Sequence, residues 1–174
     1  MIELRPIAAT DAPAVAAAVN DSRDALRRWM VWYRDDYDVQ TAQRWIENSL
    51  TSTAAGTAAQ FAIVDEEHKL IGVLGFEDMN DQSERAMLGY WLATRAVGKG
   101  IGRRAIELAL TWARARRSLR VIWAVVADAN LASRRVLEAN QFQLVGSRGI
   151  DERGDLALLY ELELHRPSAL GRGL

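Results

Sequence analysis

The stretch WLATRAVGKGIGRRAIELALTWA, residues 91–113, decides the fold. An apolar run enters it, an amphipathic run leaves it, and Gly98, Gly100 and Gly102 stand within five positions between the two. Glycine loses more backbone freedom on folding than any other residue, so a cluster of three needs a reason. Where a strand turns through glycine into a helix, the first helical N–H groups have no intrahelical partner and lie at the positive end of the helix dipole. Lys99, Arg103 and Arg104 add charge of the same sign. Such a loop suits an anion, and glycine lets a phosphate reach the backbone without a Cβ in the way.

Spacing separates the phosphate loops that share this logic. A Walker A loop fails, because Lys99 is followed by Gly100 and Ala93 stands where the first glycine belongs. A dinucleotide fingerprint fits at Gly98 and Gly100 but meets Arg103 at its third glycine. Asp128, at the end of the next apolar run, keeps a nicotinamide-dinucleotide enzyme open as an alternative. A plain tight turn would need one glycine, not three.

Composition narrows the classes. The 174 residues suit one domain, expected over residues 1–165, with the polar, glycine-containing residues 166–174 as a disordered tail. Apolar residues make up 49% of the chain, enough for a packed core. A net charge of -1 argues against a nucleic-acid partner held by bulk electrostatics. The absence of cysteine excludes disulfides, thiolate zinc sites and cysteine nucleophiles. His68 and His165 lie far apart, and no metal is expected. No apolar run approaches the ~18 residues of a membrane span, and the first residues carry charge rather than a signal-peptide core. The expectation is a soluble cytoplasmic protein with neither membrane nor nucleic-acid partner.

Along the chain, residues 2–7 read as a strand, and TDAP at 10–13 opens a helix that continues through the alanine-rich residues to Asn20. A second helix starts at 21–30 with Asp21 or Ser22 as cap, residues 31–38 read as a loop, and 41–52 as a third helix. Two strands, 60–65 and 70–77, form a hairpin. Residues 78–85 read as a loop, 86–93 as a strand, 101–117 as a helix and 120–127 as a strand buried on both faces. A short helix at 130–140 precedes two strands, 141–151 and 156–164, joined by a turn. The order β-α-α-α-β-β-β-α-β-α-β-β predicts an α/β (α+β) fold with a mixed sheet flanked by helices.

The second cluster, ADANLASRRVLEANQF at 127–142, brings Asp128, Asn130 and Ser133 to the start of that short helix. Helix capping explains one of the three, not all. Together the two clusters resemble the GNAT N-acetyltransferases. GYWLATRAVGKGIGRRAIELAL is similar to the family's acetyl-CoA-binding motif, R/Q-x-x-G-x-G/A, and NLASRRVLEANQF to its N-x-x-S/A-x-x-x-x-E-x-x-G-F segment. The likeness spans roughly residues 2–164. VNDSRDALRRWMVW, residues 19–32, resembles a segment of the RimJ/RimL-like subgroup, which acetylates ribosomal-protein N-termini. The resemblance implies a mixed sheet of about seven strands with a V-shaped cleft between two central parallel strands.

It also implies roles. The CoA pyrophosphate would sit on the amides around Gly98, Lys99, Gly100, Ile101, Gly102 and Arg103, preceded by Val97. The pantetheine arm would run beside Trp91, Leu92, Ala93 and Thr94, with the Leu92 amide facing the thioester oxygen. Asn130 would hold the thioester end, and Ser133, one turn on, would assist the departing thiolate. Glu152 would be the general base, with Glu77 its rival and Asp151 beside it. Trp32 and Tyr33 would line the acceptor site, whereas Trp29 would be buried by its helix and Trp45, Trp91, Trp112 and Trp123 would be core. Two positions depart from the family. Val97 replaces Arg or Gln, and Gln141 replaces glycine; a left-handed Gln141 would cost about 1 kcal/mol, with Asn140 the alternative holder of that conformation. Leu137 stands where many members carry a tyrosine acid.

The expected reaction is direct attack of a primary amine on acetyl-CoA in a ternary complex. The acceptor expected is a protein N-terminal α-amine, with a polyamine, amino acid or aminoglycoside as the small-amine alternative. A non-catalytic acyl-CoA-binding module is the alternative outside enzymes, and a homodimer is open.

Overall fold

The computed structural model describes residues 1–164 apart from Asp81 and Arg117. The expected tail, 166–174, and His165 lie outside the described residues. Seven strands form one sheet: β1 (Glu3–Pro6), β2 (Ala59–Val64), β3 (Leu70–Asn80), β4 (Arg85–Leu92), β5 (Val121–Ala127), β6 (Gln143–Ile150) and β7 (Leu156–Glu163). Five helices accompany it: α1 (Ala12–Asn20), α2 (Arg23–Trp29), α3 (Val39–Ala54), α4 (Ile101–Arg114) and α5 (Leu131–Ala139). The strand order is β1-β2-β3-β4-β5-β7-β6. Only β4 and β5 run parallel; every other neighbouring pair is antiparallel.

Two apolar layers sandwich the sheet. On one face Leu74, Phe76, Leu88 and Ile122 pack against Ala105, Ile106, Ala109 and Leu110 of α4 and Leu137 of α5. This is the apolar stripe that the period of α4 sets. On the other face Ala62, Val73 and Trp91 pack beneath Val15 and Val19 of α1, Leu26 of α2 and Ile46 of α3. That second cover stops short of the β5-β7-β6 end, where Val125 is 39% exposed and every residue of β6 is exposed. Trp112 stacks on Phe76 and Trp91 is buried, as core tryptophans should be. Trp45, Trp112 and Trp123 are half-buried, Trp123 beneath the Arg148 guanidinium.

Several boundaries moved. β3 continues through Asp78, Met79 and Asn80, which read as loop, because a bulge between Glu77 and Asn80 absorbs the polar residues. Asp78 sits there at φ 50°, a conformation Asp tolerates better than most residues. α3 starts at Val39 rather than 41, since Asp38 caps it by accepting from the Thr41 N–H at 2.7 Å. α4 ends at Arg114 rather than 117. At the end of α5 it is Gln141, not Asn140, that adopts the left-handed conformation, at φ 69°. Asn140 is unavailable for it: its buried amide donates to the carbonyls of Val136 (2.9 Å) and Arg103 (3.3 Å), tying the end of α5 to the start of α4.

Candidate active site

β4 and β5 are paired only from Arg85–Met87 against Val121–Trp123. Beyond Met87 they splay, and a cavity of about 160 Å³ opens between them. Its walls are Leu88, Gly89 and Tyr90 of β4, Ala124–Ala127 of β5, Asn130, Ser133 and Leu137 of the α5 segment, and Trp29 and Met30 at the end of α2. The Ala93 N–H donates to the Ile71 carbonyl, so Ala93 and Ile71 are a hydrogen-bonded pair. Alternation along an antiparallel ladder then turns the backbone groups of Leu88, Tyr90 and Leu92 away from β3, toward the splay. An extended chain laid in the cleft could pair with them like an added strand.

The glycine loop follows β4 through a short turn, Thr94–Ala96. Gly98 and Gly100 have φ of 78° and 73°, which side chains rarely adopt, and a Cβ on either would meet nothing within 4 Å. Backbone conformation, not crowding, demands glycine at both. Gly102 differs. It is helical and buried, with its Cβ position 3.4 Å from the Tyr90 ring, so it serves the packing of α4 on β4. The first intrahelical bond runs from the Arg104 N–H to the Gly100 carbonyl. Among the described residues, no amide from Gly98 to Arg103 donates to another group. Six consecutive donors at a helix N-terminus form an anion cradle. By contrast, the amides of Ala93, Thr94 and Val97 are used inside the fold, by the Ile71 carbonyl, the Ser22 hydroxyl and the Thr94 carbonyl. Ser22 occupies the N-cap position of α2, yet its buried hydroxyl accepts from Thr94 and does not cap. Arg103 and Arg104 share Glu107 on the exposed face of α4.

On the α5 side of the cleft Asn130 caps the helix, its side-chain oxygen accepting from the Ser133 N–H at 3.1 Å. The Ser133 Oγ accepts from the Tyr90 phenol at 3.3 Å. Burial pushes the Tyr90 phenol up, and the bond to Ser133 opposes this in part. Asp128 pairs with Arg134. Arg134 also donates to the Tyr160 oxygen, which in turn donates to Glu138 at 2.8 Å.

The carboxylates stand apart from this centre. Glu152 is exposed on the β6–β7 turn, and its carboxylate makes no contact with another described polar group. The turn leans on α2, where the Arg153 guanidinium donates to the Arg28 carbonyl at 2.8 Å, next to Trp29. Asp151 is committed to the turn itself, accepting from the N–H groups of Arg153 and Asp155. Glu77 accepts from the buried Gln60 amide at 3.1 Å and lies opposite Met87, before the splay begins. The Gln60 side chain crosses Gly75 so closely that a Cβ there would meet it at 1.9 Å. Trp32 meets Tyr37 and Trp91 with tilted rings, and Tyr33 donates to Asp35; neither is among the residues lining this cavity. Trp29 and Met30 line it instead. Tyr90 and Met30 escaped the sequence reading, which weighed Trp29 with Trp32 and Tyr33 and expected its helix to bury it. Strand alternation could have found Tyr90, since it shares a face with Leu88 and Leu92.

A family model described as an acetyltransferase (GNAT) domain matches residues 2–143. The chain belongs to the GNAT acetyltransferase family. This GNAT protein is an acyltransferase, and its seven-stranded mixed sheet is the family fold. Over 148 residues it is 29% identical to a probable N-acetyltransferase, YjcK, of Bacillus subtilis, covering 83% of this chain and 82% of that one. Solved structures share the fold at lower identity. RimL, a ribosomal L7/L12 α-N-protein acetyltransferase solved with coenzyme A, superposes with a TM-score of 0.88 at 23% identity, over 94% of each chain. A ribosomal-protein-S5-alanine acetyltransferase from Vibrio fischeri gives 0.85 at 23%, over 93% of this chain and 92% of its own. Among the described residues no group of three or more His, Cys, Asp or Glu could hold a metal ion, and no helix is long and apolar enough to cross a membrane.

Proposed function

We propose that this acetyltransferase moves the acetyl group of acetyl-CoA to the α-amine of a protein N-terminus by direct attack in a ternary complex. The observation that carries the reading is that the cleft opens onto both faces of the sheet. One side meets α4 and α5, where the cradle and Ser133 lie. The other opens at Gly89 and the exposed Val125, edged by Trp29 and Met30. Donor and acceptor can therefore enter from opposite faces. Beyond that second mouth the β5-β7-β6 surface is uncovered, leaving room for the residues that follow an N-terminal amine. The ribosomal-protein acetyltransferases with this fold add support.

The cradle amides bind the pyrophosphate of CoA, and the pantetheine arm pairs with the free edge of β4. The Leu92 amide steadies the oxyanion. An α-amine, with a pKa of about 7.7–8.0, needs less help to lose its proton than a lysine at about 10.4. Glu152, exposed on the β6–β7 turn, takes that proton directly or through water. Ser133 faces the sulfur. Release of free CoA thiol from acetyl-CoA, followed with peptides beginning in Ser or Ala and with spermidine, tests the acceptor. Turnover with peptides is expected. Turnover with spermidine and no peptide would assign the small-amine class instead.

A further inference from the structure

Resting on the acetyl-transfer reading, we propose that Tyr90 is the proton source for the departing CoA thiolate, delivering through Ser133. Three observations carry it. Leu137, buried and apolar, contributes no proton to the cavity. Among the residues that line the cavity, only Tyr90 and Ser133 carry an O–H. Finally, the two hydroxyls are hydrogen-bonded at 3.3 Å, and a relay forms when the Tyr90 phenol donates and the Ser133 Oγ accepts. A hydroxyl that accepts from a tyrosine keeps its own hydrogen for another acceptor. No described group accepts that hydrogen, and the hydroxyl stands at the wall of the cavity. Tyr90 is itself held in place by Gly102 of α4, so the helix that cradles the pyrophosphate also sets the phenol.

The step balances. The amine nitrogen bonds to the thioester carbon and the carbonyl π pair moves onto oxygen. When the oxyanion collapses the C–S bond breaks and its pair stays on sulfur. Sulfur takes the Ser133 proton, and Ser133 takes the Tyr90 proton. The tyrosinate is reprotonated from water once CoA leaves. An aliphatic hydroxyl alone is a poor acid, and the phenol behind it is the stronger acid of the two even with burial pushing it up.

Tyr90→Phe keeps the ring against Gly102 and removes only the oxygen. Its kcat is expected to fall at least tenfold, with KM for acetyl-CoA within about twofold and the melting temperature little changed. Ser133→Ala should cost a similar factor, and the double variant no more than the worse single, because both break one relay. A second measurement needs no acceptor: the pH dependence of iodoacetamide alkylation of CoA bound to the enzyme. The relay steadies the thiolate, so Tyr90→Phe should raise the pH at which bound CoA becomes reactive. Multiplying losses in the double variant, or full kcat in Tyr90→Phe, would overturn the relay while leaving acetyl transfer intact. An unshifted alkylation profile would overturn it even if no amine acceptor is found.

Discussion

The two mouths of the cleft are built differently. The donor end is made of backbone: six amides from Gly98 to Arg103, plus the inner edge of β4. Buried side chains fasten it, Asn140 to the Arg103 carbonyl and Ser22 to the Thr94 amide. The end proposed for the acceptor is lined by side chains from elements far apart in sequence, Trp29 and Met30 at the end of α2 and Val125 on β5, with the proposed base Glu152 on the β6–β7 turn. The β6–β7 turn is tied to it by an arginine reaching a carbonyl across the surface. A cofactor that never changes can be bound by fixed backbone. An acceptor that differs between relatives is better met by exposed side chains, which can vary without disturbing the sheet.

The largest expected effects test whether each end has its own work. Glu152→Gln should lower kcat with a peptide acceptor by about 10²-fold or more, the usual contribution of a general base. KM for acetyl-CoA should stay unchanged, and Glu77→Gln should cost little. The reverse pattern would move the base to the rim beside Gln60. Gly100→Val should act on the other end. A β-branched residue at φ 73° is strained by about 1–2 kcal/mol or more, so KM for acetyl-CoA should rise about tenfold. The acceptor KM should stay within twofold. If the two constants rise together, the loop serves the whole cleft and the division between the ends fails.

This division also explains what could be read without coordinates. Strand-loop-helix order and the spacing of Gly98 and Gly100 are local, so the sheet and the cradle were legible. Gly102 has a second part that spacing does not report: its Cβ position lies 3.4 Å from the Tyr90 ring, so it also serves the packing of α4 on β4. Trp29, Met30 and Tyr90 meet across some 60 residues of chain, and no local pattern reports that. Trp32 was preferred to Trp29 because a helix was expected to bury Trp29; Trp32 is 39% exposed and its ring meets Tyr37 and Trp91, whereas Trp29 lines the cavity. Asn140 was weighed only as a helix end, whereas its amide joins two helices.

Asn140→Ala should test that join. Removing the buried amide takes a donor from the Val136 carbonyl and cuts the bond to the Arg103 carbonyl, a loss of about 1–3 kcal/mol. For a chain of this size that lowers the melting temperature by about 2–9 °C. Calorimetry should show weaker CoA binding as well, because α4 would lose its tie to α5. A variant that melts earlier but binds CoA normally would show that the join serves stability alone.

The smallest effect belongs to neither end and serves as a control on stability. Asp11, buried at the start of α1, accepts two hydrogen bonds from Arg5, at 2.6 and 2.8 Å, and one from the Ala8 N–H at 2.8 Å. The Arg5 hydrogen bonds hold its carboxyl below the usual carboxylate range, against the upward push of burial. A depressed folded pKa means the stabilisation is complete above the unfolded value near 3.9 and is lost as pH falls through the folded value. Arg5 is 37% exposed, so solvent screening keeps the contribution to about 1 kcal/mol. Asp11→Asn should therefore melt about 2–4 °C below the wild type at pH 7. The gap should close as both are acidified below pH 4. A gap of the same size at pH 3 would assign the loss to the shape of the turn, and the charge of Asp11 would then have no share in holding α1 on the sheet.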